Sequence, residues 1–273
     1  MPQQPTQQAV HIDAILTSIS VGYVQSLTAF IAPLVFPIVP VEKQTDKYFI
    51  YTKADWFRDE AKLRAGGTES AGSGYGLSTA TYSCDVFALH KDVDDQTRKN
   101  SDSPLSPDED ATRFVTQRCL LRREIQFVTD YMAGSIWDTT KTGMTDFPKW
   151  SDYAASDPVD DIELGKETIL QNTGYKPNRL VLGYKTFRKL KHHPDVVDRF
   201  KYVSSESITE AMLAQLFGVE KVLVAMAIKN TAAEGATASF AFVAGADDAL
   251  LCYASPNPGL LAPSAGYIFS GAA

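Results

Sequence analysis

Apolar and polar residues follow three rhythms along this chain, and each predicts a different element. From Thr79 to Ala88 the period is two. Ala80, Tyr82, Cys84, Val86 and Ala88 fall on one face, and Thr79, Thr81, Ser83 and Asp85 on the other, as in a half-buried strand. Lys47 to Thr52 (KYFIYT) predicts another strand. Between the two lie a polar stretch, Lys53 to Arg64, and the segment AGGTESAGSGYG (65–76) with five glycines. Strand, glycine-rich excursion, strand predicts a long extended hairpin. A free hairpin is marginal in water, so this one needs a neighbour.

The second rhythm is helical. Ser106-Pro107-Asp108-Glu109 reads as a capping box with proline at the first helical position. Ala111, Phe114, Leu121, Ile125, Val128, Met132 and Ile136 follow at spacings of three, four or seven. The pattern predicts a spine helix over Pro107–Ile136, ~45 Å long at ~1.5 Å per residue. The third rhythm is no period at all. The first 45 residues carry only Asp13, Glu42 and Lys43 as formal charges, and Phe30 to Val41 is punctuated by Pro33, Pro37 and Pro40. Proline holds its predecessor extended and donates no ladder bond, so this run predicts an extended arm lying across something else.

Gly143 to Ser156 reads as a loop and a boundary, and beyond it helix and strand signals alternate. Asp157-Pro158 opens a helix to about Asn172, with Gly174 as terminator. Arg179–Leu182 is a short buried strand. Tyr184–His192 and Asp195–Tyr202 are helical pieces split by Pro194. Ser207-Ile-Thr-Glu210 is a second capping box, for a helix that Gly218 ends. Lys221–Ile228, Ala238–Ala244 and Ala249–Ala254 read as strands. The fold class is α+β, with a compact second half and no internal repeat.

Composition narrows the function. In 273 residues, 44% are hydrophobic and 22% charged, which excludes a disordered chain. The net charge of −7 argues against a dedicated nucleic-acid reader. Cys84, Cys119 and Cys252 form no CxxC pair, so a disulfide framework or structural zinc site is not expected, and a reducing compartment is. Met1–Gln8 has no basic n-region and does not read as a signal peptide. The most apolar stretch is too short to span a membrane. A soluble cytoplasmic chain is expected.

Candidate chemistry is sparse. Of four histidines, His192 and His193 are adjacent and point apart on a helix, while His11 and His90 lack a paired acid. Gly72-Ser-Gly74-Tyr-Gly76 resembles a phosphate loop, but it leads into a strand rather than opening a helix. The acids Asp92, Asp94, Asp95, Asp102, Asp108, Glu109 and Asp110 lack EF-hand spacing and read as a solvated face, the last three complementing a helix dipole. A basic segment, Lys176 to Lys201, carries Lys176, Arg179, Lys185, Arg188, Lys189, Lys191, Arg199 and Lys201 against Asp195 and Asp198. It fits a phosphate- or partner-facing patch, or a solvated helix face with weak local ion pairs; the latter is preferred. No catalytic, cofactor-binding or metal residue and no cofactor is assigned. An arm and a hairpin that cannot stand alone need partner surfaces, and identical subunits are the simplest supply.

The order of elements resembles the major capsid proteins of tailed bacteriophages, the Hong Kong 97-type fold. FIAPLVFPIVPVEKQTDKYFIY (30–51) is similar to that family's arm and the run into its extended loop. LSTATYSCDVFALHKDVDDQTRKNSDSPLSPDEDATRFVTQRCLLRREIQF (77–127) is similar to the returning strand, acidic segment and spine helix, which in the family bears a Glu, here Glu124. FRKLKHHPDVVDRFKY (187–202) and LAQLFGVEKVLVAMAIKNTAAEG (213–235) resemble elements of the axial domain.

The resemblance implies an N-terminal arm (1–46), an extended hairpin loop (47–89), a peripheral domain with the spine helix (90–152), an axial domain (153–255) and a return (256–273). It implies hexamers and pentamers of an icosahedral head around double-stranded DNA, with scaffolding, portal and decoration proteins as partners, assembled in the bacterial cytoplasm. Two departures stand out. No closing element is evident after Gly266–Ser270, so a truncated or unusually short return is expected. No charged helical prodomain precedes residue 30, so a separate scaffold or a processed chain is expected. An encapsulin-like shell is the alternative within the fold, and a small-molecule enzyme lobe over 157–255 the alternative outside it.

Overall fold

The computed structural model describes residues 24–101, 105–132, 134, 136–200 and 208–271. Residues 1–23 of the expected arm, with His11, lie outside them, as do Asp102, Lys201 and Ser207. After a 3-10 turn at Leu27–Ala29 come α1 (Ala32–Val35), β1 (Ile38–Val41), β2 (Thr45–Tyr51), the helical turn α2 (Lys53–Trp56) and β3 (Leu77–Ser83). Next are α3 (Asp95–Asn100), α4 (Pro107–Tyr131), α5 (Pro158–Thr173), β4 (Arg179–Gly183), α6 (Tyr184–Lys191) and α7 (Pro194–Phe200). The chain ends with α8 (Glu210–Phe217), β5 (Lys221–Ala225), β6 (Ile228–Asn230), β7 (Phe240–Phe242), β8 (Ala249–Cys252) and β9 (Ile268–Gly271). Two compact units result, one from residues up to Val35 plus Phe87–Ala254, the other from Phe36–Val86 plus residues from Ser255 onward.

In the first unit, β4 lies between β5, to which it is parallel, and β8, to which it is antiparallel. Leu180, Leu182 and Val222 meet Val159 and Ile162 of α5, Leu190 of α6, Val196 of α7, and Leu213 and Phe217 of α8. Each such large side chain contributes ~1.5–3 kcal/mol on burial. The helices end where local signals place them. Asp157 accepts from the N–H groups of Val159 and Asp160, with Pro158 in the first turn. Gly174 (φ 78°) and Gly218 (φ 59°) close α5 and α8 in the left-handed region.

A second cluster in this unit joins Phe30, Ala227 and Val243 to Leu120, Leu121, Ile125 and Val128 of α4. The run from Phe30 is therefore not an extended arm throughout. Phe30, Ile31, Ala32 and Val35 are buried in their own chain, and Pro33 is accommodated in the opening turn of α1, where its missing N–H is not needed. The spine helix stops at Tyr131, about 38 Å from its start at ~1.5 Å per residue and short of the expected Ile136. There the Trp137 indole N–H donates to the Tyr131 carbonyl at 2.8 Å, taking a terminal acceptor that a longer helix would have used. Ser106 sits at the N-cap without a side-chain cap bond.

The cap of α8 is Thr209, whose hydroxyl accepts from Met212 N. The strand expected over Lys221–Ile228 is two. β5 pairs with β4, β6 pairs antiparallel with β7, and the backbone turns between them at Met226–Ala227, where Ala227 O accepts from Val243 N.

The second unit holds the hairpin. β2 and β3 pair antiparallel from Thr45↔Ser83 to Tyr51↔Leu77. The alternation read over Thr79–Ala88 holds at Ala80, Tyr82 and Cys84, then the strand ends and Val86 is exposed. The tail is not without a closing element: β9 pairs parallel with β1, Ile38↔Ile268 through Val41↔Gly271. Phe269 of β9 stacks on Tyr82 at 4.5 Å and tilts on Tyr48 at 5.8 Å.

Candidate functional site

Among the described residues, the hairpin carries a dense set of exposed apolar side chains, Phe49, Phe57, Leu63 and Leu77 among them. Its base is tied by Cys84 N donating to Gln44 O (2.8 Å) and the Tyr82 hydroxyl to Lys43 O (3.2 Å). Beyond the paired strands, the stretch from Lys53 is not merely polar. Tyr51, Trp56 and Tyr75 form an aromatic triangle with centroids 6.0, 5.9 and 5.7 Å apart. Thr52 N donates to Gly76 O, and Gly76 N to Asp55 Oδ2 at 2.9 Å. Arg58 bridges Asp55 and Glu60, and the Ser73 hydroxyl donates to Glu60. A loop without regular structure is thus given a fixed root, while Phe49, Trp56, Phe57, Leu63 and Leu77 stay exposed. Exposed apolar residues on a two-stranded ladder with open edges mark a surface that awaits a partner. The readable signal was Trp56 five residues after Tyr51, with Tyr75 just before the returning strand.

In the other unit, segment 24–35 is pinned by one buried polar bond to the spine helix and by more exposed bonds from Gln25. Glu124 is 1% exposed, and its Oε2 accepts the Ala32 N–H at 2.9 Å. Burial pushes its carboxyl above the usual carboxylate range, opposed by the backbone N–H groups of Ala32 and Ile31. Gln25 pairs with both backbone groups of Ile228, at 2.8 and 2.9 Å, and accepts from Gln117 through its carbonyl. The spine-helix Glu is therefore an internal tether.

The remaining candidates disperse. His90 and His192 are exposed. Gly72–Gly76 runs into β3 with no helix following. The acidic segment is partly structural: Asp94 caps α3, and Arg98 forks onto Asp108 with two bonds of 2.9 Å, holding α3 to α4. In the basic segment Arg179 pairs with Glu220, Lys185 with Asp247, and Lys189 lies over Tyr153. Lys176, Arg188 and Arg199 are exposed.

One arrangement has the outline of hydrolase chemistry. Ser156 Oγ lies 3.0 Å from His193 Nε2, and His193 Nδ1 lies 3.5 Å from Asp195 Oδ2. The protons run the wrong way for it. Ser156 donates to Asp152 O, and Nδ1 accepts from Asp195 N, so Nε2 carries the hydrogen and cannot take one from serine. His193 is wholly buried and serves as the cap of α7, its carbonyl accepting from Val196 and Val197.

No family model matches the chain. The major capsid protein of Burkholderia phage BcepMu is 30% identical over 221 residues, which span 80% of this chain and 69% of the relative. That of Pseudomonas phage JBD67 is 28% identical over 232 residues, 82% of this chain and 71% of the relative. Among solved structures, a phage-related protein from Bordetella bronchiseptica matches with a TM-score of 0.63 at 28% identity, covering 89% of this chain and 78% of the other. The capsid of a native GTA particle matches with a TM-score of 0.52 over 79% and 73%, and at 17% identity it speaks to the fold alone.

Proposed function

The chain belongs to the major capsid proteins of tailed phages, and on that premise we propose that it builds the hexamers and pentamers of an icosahedral head around double-stranded DNA. The protein is a structural component of the virion and not an enzyme. The observation that carries the assembly reading is the hairpin: its root is ordered by its own hydrogen bonds and rings, while Phe57 and Leu63 near its tip remain open. In this reading residues 47–89 overlap a neighbouring subunit, and the arm, 1–46, is anchored in its own subunit at Gln25 and Glu124. The spine-helix region, 90–152, forms the floor, the lobe over 153–255 gathers around the capsomer axes, and 256–273 return beside the arm. Self-association is the work of the surface, so no residue is assigned a catalytic, cofactor or metal role. Scaffolding, portal and decoration proteins are the further partners, and the bacterial cytoplasm is the place of assembly.

Electron microscopy of full-length protein co-produced with its scaffold tests this reading. Closed shells are expected, and persistent monomers under assembly conditions would overturn it. Deleting Arg64–Gly74 is expected to leave a folded subunit that no longer closes shells.

A further inference from the structure

One face of the spine helix is cationic in a chain of net charge −7. Phe114, Arg118 and Arg122 lie four residues apart on α4, and so along one line of its surface. The Arg118 guanidinium lies over the Phe114 ring at 5.0 Å, with Lys91 over the same ring at 5.8 Å, and Arg122 lies over Phe87 at 4.7 Å. All five side chains belong to exposed residues. Among the described residues no carboxylate lies within ion-pair distance of Lys91, Arg118 or Arg122, whereas neighbouring Arg113 is paired with Glu109 at 3.8 Å. The acid nearest Arg122 in sequence, Glu124, is turned inward onto Ala32, and Asp92, next to Lys91, lies 4.0 Å from His90 Nε2.

Ring stacking holds the two guanidinium groups in place; Arg122 gives one N–H to Gln126 Oε1 at 3.1 Å, and the other N–H groups are left for an oxyanion. We infer that this strip contacts the phosphate backbone of double-stranded DNA without reading sequence. Each ring already carries a cation, so bases of a single strand find no bare ring on which to stack. An arginine edge matches a phosphate through paired N–H bonds. The inference rests on the reading that the shell encloses DNA.

The test is binding of random-sequence duplex to the full-length subunit across a salt series. Three cations predict a slope of log affinity against log salt of about −2.7, and Arg118→Gln/Arg122→Gln should reduce it to about −0.9. Arg118→Lys/Arg122→Lys should restore the slope, which a merely misfolded variant would not. A Lys185→Gln/Arg188→Gln control should change nothing. An unchanged slope in the glutamine variant overturns the inference, as does binding of polyglutamate with no binding of duplex, which would assign the strip to an acidic protein. Microscopy of the same preparations separates the two readings: wild-type shells with duplex-blind strips sink only this inference, and absent wild-type shells sink the assembly reading on which it rests.

Discussion

Replacing Phe57 and Leu63 together by alanine should separate assembly from folding. Phe57 is 65% exposed and Leu63 fully exposed in the subunit, so neither adds much to its stability. Substitutions at such sites shift folding by about 0.5 kcal/mol or less. If a neighbour covers both, full burial of each side chain would contribute ~1.5–3 kcal/mol. Allowing for the part of Phe57 already covered and the methyl that alanine retains, the loss per subunit is about 2–4 kcal/mol. At ~1.4 kcal/mol per factor of ten, the concentration needed to form shells rises at least ~30-fold. Light scattering against protein concentration measures that threshold, and urea unfolding of the subunit measures the fold. An unchanged threshold would refute the assignment of the hairpin tip to an interface. A loss of more than ~2 kcal/mol in the urea experiment would show that both residues serve the subunit's own core.

Glu124→Gln should flatten one component of the pH–stability curve. The folded carboxyl titrates above the unfolded value of 4.5, so the folded state binds the extra proton between the two and stability falls as pH rises through that window. Wild type should therefore gain on the glutamine variant as pH drops from neutral toward 4.5, and a difference curve of opposite slope in paired urea titrations would contradict the tether. Asn178→Ala should cost about 2–4 kcal/mol in urea unfolding, because it strands the N–H and C=O of buried Ala254, now bonded at 2.8 Å each. Burial pushes the Cys252 thiol up to about 12, so alkylation near neutral pH should modify exposed Cys119 first and reach Cys252 only on unfolding. Early labelling of Cys252 by mass spectrometry would show the β8 edge to be open.

The local signals in this chain act within a few residues, and the features that depend on them are legible in the residues alone. Asp157 with Pro158 opens α5, Gly174 and Gly218 close helices, and the alternation at Ala80 and Tyr82 makes a strand. Backbone sterics and nearby hydrogen bonds decide these features, whereas the capping box at Ser106 forms no side-chain cap bond. The order of such elements was enough to suggest a shell protein. The rest follows from packing between segments far apart in the chain. Ile38–Val41 meets Ile268–Gly271, Glu124 turns inward to Ala32, and Phe114 leaves the apolar stripe to lie under Arg118 and Lys91. Phe30–Val35, too polar-poor and proline-rich to read as a packed element, becomes buried because α4 supplies the opposite face. Apart from Arg118 over Phe114, each of these contacts joins residues distant in sequence. Its free energy belongs to a pair, and neither partner's local pattern carries it.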